Sequence, residues 1–86
     1  MNARILLVED EKAIQLALSG LLRRQGYEVE VAGTGEDAFS QLDDASFDLV
    51  LTDLALGRGA SGMDVLRRTK ELRPETGVVM SRAHGS

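Results

Sequence analysis

Cysteine and tryptophan are absent from this chain of 86 residues, proline occurs once, and the only aromatic residues are one tyrosine and two phenylalanines. Without cysteine there is no disulfide frame. No apolar run approaches the ~20 residues of a membrane span, and Met1-Asn2-Ala3-Arg4 leads into a strand-like segment and not a signal h-region. The expectation is a cytoplasmic protein with no membrane partner. A positive surface is also missing: a net charge of −4 argues against this segment gripping nucleic-acid phosphates by itself. No linker, low-complexity tract or second domain is visible, so residues 1–86 are expected to form one domain. What is present, 43% hydrophobic and 28% charged residues, matches an ordinary globular fold. A chain this short buries only about 60–65% of its unfolded surface, so its stability should be marginal.

Residues 4–8, Arg4-Ile5-Leu6-Leu7-Val8, are a continuous run of the kind buried on both faces of a sheet, and they stop at Glu9-Asp10-Glu11-Lys12. From Lys12 to Gln25 the apolar positions Ile14, Ala17, Leu18, Leu21 and Leu22 recur with helical period, and Gly26 stands as the C′ residue. That stripe is expected in the core. Tyr27 to Ala32 alternates with period two and predicts an edge strand. Thr34 with Asp37 three positions on predicts the capped start of a helix of about three turns carrying Ala38, Phe39 and Leu42. Phe47 to Thr52 repeats the buried-strand pattern. Residues 57–62 hold three glycines in six and predict a mobile loop. Met63 to Arg73 predicts a third helix with Val65, Leu66 and Leu72 inward, stopped by Pro74, and Gly77-Val78-Val79-Met80 begins a fourth strand. The order β-α-β-α-β-α-β predicts a parallel sheet with right-handed crossovers.

Acids sit where the buried strands end: Glu9 and Asp10 after the first, Asp53 after the third. In an open α/β sheet the carboxyl ends of neighbouring strands converge on one edge, so these three can share a pocket. Like charges held that close need a cation, a proton or a basic partner, and a cluster of hard oxygen ligands suits Mg²⁺. Metal with carboxylate is phosphoryl-transfer chemistry. The other acids, Asp37, Asp43, Asp44, Asp48 and Asp64, read as surface or capping residues. His84 reads as part of a frayed tail. The glycine loop lacks the Lys-Ser/Thr of a P-loop, which argues against nucleotide binding.

The segments Ile5-Leu6-Leu7-Val8-Glu9-Asp10-Glu11, Asp48-Leu49-Val50-Leu51-Thr52-Asp53-Leu54, Gly62-Met63-Asp64-Val65-Leu66 and Val78-Val79-Met80 together resemble the receiver (CheY-like) domain of two-component response regulators. The resemblance implies a flavodoxin-like three-layer αβα fold with parallel strand order 2-1-3-4, lacking the family's fifth strand and last two helices. It implies that Asp53 is the phosphoacceptor, attacking the phosphoimidazole of a histidine kinase or phosphotransfer protein. It also implies a Mg²⁺ site: Asp10 and Asp53 through carboxylates, Glu9 through a water, and Ala55 through its backbone carbonyl. Such a domain is at most autocatalytic in gaining and losing phosphate.

Three departures from the family pattern carry their own expectations. The Thr or Ser expected at the end of strand four falls on Arg82, with Ser81 one residue early, so either Ser81 or Arg82 is the candidate phosphoryl contact. A one-residue offset reverses the face, so Ser81 is expected to serve only if the strand slips or ends irregularly. The Lys that follows strand five in the family has no counterpart. The loop after Asp53 is about four residues longer than the family pattern, at little cost in stability. Strand four is expected to be a bare edge beside an uncovered sheet face, favouring a homo-oligomer. The alternative is a phosphorylation-independent interaction or dimerisation module, or a piece cut from a longer regulator.

Overall fold

Four five-residue strands and three helices alternate along the chain, in a computed structural model that describes residues 2–81. The buried run forms β1 (Arg4–Val8), followed by α1 (Lys12–Arg24), β2 (Glu28–Ala32), α2 (Gly35–Asp44), β3 (Leu49–Asp53), α3 (Gly62–Leu72) and β4 (Gly77–Ser81). All strand pairs are parallel, in the order β2-β1-β3-β4. This is the flavodoxin-like arrangement expected from the sequence. Right-handed crossovers require α1 on one face and α2 with α3 on the other, because the chain reverses direction across the sheet after β2.

The face under α2 and α3 holds the larger core cluster. Leu6, Val8, Ala32 and Val50 from the sheet meet Ala38 and Leu42 of α2, Val65 of α3, and Phe47 and Leu56 in one cluster, all with 5% exposure or less. Phe47, expected to open the third strand, lies before β3 begins and serves as core. Its carbonyl accepts from Thr76 Oγ1 at 3.1 Å, and the Arg4 guanidinium lies 5.1 Å from its ring centroid. Asp48 pairs with the start of β1, its Oδ2 accepting from Arg4 N at 2.7 Å.

On the other face Ile5 and Leu7 of β1 are buried as expected, but the helix above them, α1, departs from expectation. No apolar residue of the stripe 14–22 is buried; Ser19 is the one buried residue of α1, and Leu16 and Leu21 are 68% and 51% exposed. A lone helix on a sheet buries only its line of contact, and its flanks stay wet unless a neighbour covers them. On the same face, Val79 of β4 is 48% exposed.

On α3, Leu72 is 40% exposed and Thr69 takes the inward position instead. The Thr69 hydroxyl is satisfied there by donating to the Val65 carbonyl at 2.8 Å. Helix α3 also starts with a capping box that the glycine-rich context concealed: Ser61 Oγ accepts from Asp64 N at 3.2 Å, and Asp64 Oδ2 accepts from Ser61 N at 2.9 Å. Ser61→Ala should cost about 1 kcal/mol of stability, the usual contribution of an N-cap hydroxyl. The Ser61 backbone bond, then its hydroxyl, hold the Asp64 carboxyl below the usual carboxylate range. A lowered folded pKa means that Asp64's contribution is present above the ordinary carboxylate range and is lost as pH falls through the folded value. Urea midpoints of wild type and Asp64→Ala should therefore differ at neutral pH and converge in acid; an undiminished gap in acid contradicts the box.

No helix among the described residues is long and apolar enough to cross a membrane.

Candidate functional site

The register of the sheet brings the acids together. Val8 of β1 pairs with Thr52 of β3, so the next residues, Glu9 and Asp53, leave the two central strands at the same level. Asp10 follows one residue later, in the turn into α1. One carboxylate oxygen from each of Glu9, Asp10 and Asp53 lies within 4.8 Å of the other two. Glu9 and Asp53 are each 1% exposed, whereas Asp10 faces solvent.

Local bonds fix these side chains. Glu9 Oε2 accepts from Glu11 N at 2.9 Å, and the Glu9 carbonyl accepts from Gln15 Nε2 of α1 at 2.5 Å. Asp53 Oδ1 accepts from Ala55 N at 3.1 Å, which sets the plane of the carboxylate. Helix α3 begins hard against the same strand end: a Cβ at Gly62 would stand 2.5 Å from the Asp53 carbonyl oxygen. Nothing larger than glycine fits there without moving backbone.

Ser81 is the register partner of Asp53, and residues level with each other on adjacent strands project to the same face. Level placement follows from the regular β3–β4 ladder, continued by Leu54 N donating to the Ser81 carbonyl at 2.9 Å. No strand slip is needed to bring Ser81 to that level. Arg82 and His84 lie outside the described residues.

The loop after β3 holds no helix or strand until α3 begins at Gly62, as its glycines lead one to expect. It is tied to the first turn of α2, with Ala60 N donating to Glu36 Oε2 at 2.9 Å. The one sequence signal for this tether is weak, an acid early in a helix 24 residues away, and sequence reasoning missed it.

A cavity of about 460 Å³ lies at the other end of the sheet beside Arg4, Phe47, Asp48 and Arg73. Its charges balance, with Arg4 and Arg73 against Asp48 and Glu75. The site is therefore assigned by convergent chemistry and not by volume.

The response regulator receiver domain model matches residues 5–86. The chain belongs to the response regulator receiver family. Among similar proteins, the transcriptional regulatory protein DltR of Streptococcus agalactiae serotype III (strain NEM316) is 41% identical over 76 residues, covering 88% of this chain and 34% of that protein. The chain thus spans about a third of the length of such relatives. A solved CheY-like receiver from Methanospirillum hungatei JF-1 superposes with a TM-score of 0.92 at 31% identity, covering all of this chain and 68% of that one. The response regulator TrrA of Thermotoga maritima, solved in complex with Mg²⁺ and BeF, superposes with a TM-score of 0.86 at 30% identity, covering 98% and 73%. These likenesses span the strands and helices that carry the acid cluster of this receiver.

The donor set suits a small hard cation. Mg²⁺ takes oxygen ligands at about 2.1 Å in octahedral geometry, so two direct ligands lie at most about 4.2 Å apart. The three carboxylate oxygens, within 4.8 Å of one another, lie close to that span.

Proposed function

We propose that this receiver domain, spanning residues 1–86, accepts a phosphoryl group on Asp53 in a Mg²⁺-dependent reaction with a histidine kinase or phosphotransfer protein. The observation that carries this reading is the convergence of Glu9, Asp10 and Asp53 at the carboxyl ends of β1 and β3. Family membership and a Mg²⁺-bound similar structure support it.

Asp53 and Asp10 would hold the ion through carboxylate oxygens, Glu9 through a water, and Ala55 through its carbonyl. Bound Mg²⁺ supplies the positive charge that lets an anionic nucleophile approach an anionic phosphoryl group and that offsets charge on the equatorial oxygens. The Asp53 carboxylate attacks phosphorus in line with the departing imidazole. The P–N bond breaks, its electron pair and a solvent proton go to the imidazole, and an acyl phosphate remains on Asp53. Hydrolysis reverses the state: water attacks phosphorus, inorganic phosphate leaves and the carboxylate is restored. Ala55 N–H keeps the carboxylate plane fixed through Oδ1, which lowers the orientation cost of attack. Ser81, level with Asp53, or Arg82 would contact the phosphoryl oxygens.

At about ten times its dissociation constant, Mg²⁺ should stabilise the fold by about 1.4 kcal/mol. For a chain of this size that is a rise in Tm of roughly 6–11 °C. Differential scanning calorimetry with and without Mg²⁺ checks it. Asp10→Asn should remove most of the rise; the same rise in that variant, or none in wild type, counts against the site.

One observation favours a second reading, a phosphate-independent assembly module. Among the described residues β4 is a sheet edge with no charged residue or proline to discourage pairing, and Val79 is 48% exposed. That reading predicts NMR shift changes along β4 with protein concentration, and none near Asp10 or Asp53 with Mg²⁺.

A further inference from the structure

Glu36 lies outside the acid cluster, at the second residue of α2, and is exposed. Its carboxylate nevertheless does something specific. It accepts the Ala60 N–H at 2.9 Å, and the two Glu36 oxygens crowd the α-carbon of Gly59, where a Cβ would stand 2.7 and 2.8 Å from them. Gly59 has φ +81°, a conformation costly for other residues. Beside this contact, a Cβ on Gly35 would stand 2.6 Å from the Ala60 Cβ. The start of α2 and the 59–60 segment are thus in close contact at backbone level.

The other end of the same loop touches the site. Gly57, with φ +60°, lies so near Asp10 that a Cβ there would stand 2.9 Å from Asp10 Oδ2. Asp10 is the exposed member of the cluster. Between the two contacts lies only Arg58, so the hold on residues 59 and 60 limits where the Gly57 backbone can go.

We propose that Glu36 is a positioning residue for the acid cluster: by tethering Ala60 and Gly59 it holds the Gly57 backbone against Asp10 and keeps that carboxylate converged on Glu9 and Asp53. This deepens the metal-binding part of the proposed function and rests on it. Groups that position metal ligands from outside the coordination sphere typically change affinity tenfold or more. The tether needs an acceptor oxygen at position 36, not a negative charge, because the Ala60 N–H is its donor.

The test is Mg²⁺ titration of the full chain, followed by NMR shifts of the Asp10 and Asp53 amides, in wild type, Glu36→Ala and Glu36→Gln. Glu36→Ala should weaken Mg²⁺ by about tenfold, while Glu36→Gln, which keeps an acceptor oxygen, should stay within about twofold of wild type. Hydrogen exchange at the Ala60 amide should rise in Glu36→Ala and not in Glu36→Gln. Equal weakening in both variants would assign the effect to charge and overturn the tether. Affinity unchanged in Glu36→Ala would overturn it too. Absence of saturable binding in wild type would instead defeat the metal reading beneath it, so the two failures are distinguishable.

Discussion

Asp53→Asn is expected to reduce phosphoryl uptake from acetyl phosphate to background. The substitution is nearly isosteric, and the Asn amide oxygen can still accept the Ala55 N–H that Asp53 Oδ1 accepts at 3.1 Å, so the fold is preserved. What disappears is the anionic nucleophile. Glu9 is at the same level on the neighbouring strand, but its Oε2 is engaged by Glu11 N, and no second carboxylate shares the position of Asp53 on β3. Asp10→Asn separates the roles: the nucleophile stays and one ligand is weakened, so uptake should fall by roughly 10–100-fold without vanishing. Intact-mass time courses on variants shown by circular dichroism to be folded check both. An adduct on Asp53→Asn at the wild-type rate contradicts the assignment.

The second large effect concerns stability. Leu6→Ala should cost about 2–5 kcal/mol, the range for truncating a fully buried leucine. Leu6 is 0% exposed, under α2 and α3. At about 0.05–0.15 kcal/mol per residue a chain this long has a total stability of only about 4–13 kcal/mol. The variant should therefore lose a large part of its folded population. Leu16→Ala, at a residue 68% exposed on α1, should stay within about 0.5 kcal/mol of wild type. Urea unfolding of the two variants checks the contrast, and equal costs would mean that the α1 face is as well covered as the other.

That contrast marks where the sequence stops being informative. β1, β3 and the acids at their ends were legible because an unbroken apolar run closed by charge is a local signal, and parallel topology then forces the ends together. The stripe on α1 showed which side faces the sheet; it could not show that the flanks of a lone helix remain wet. Leu72 and Thr69 both lie on the helical period. Hydrophobicity favoured the leucine, while the structure hides the threonine hydroxyl against Val65. The Ser61-x-x-Asp64 cap was readable in principle and was masked by the glycines around it. The Glu36 tether was not readable, because it joins residues 24 positions apart through a side chain that, by its place in α2, looks like an ordinary helix-start acid. In the site, the three carboxylates followed from topology, whereas the level placement of Ser81 with Asp53 needed the β3–β4 register.

The most direct measurement is incubation of the chain with acetyl phosphate, with Mg²⁺ or with EDTA, followed by intact mass and peptide mapping. A single phosphoryl adduct, formed only with Mg²⁺ and located on Asp53, is the predicted result. No adduct, an adduct formed equally in EDTA, or one located on another residue would contradict the assignment.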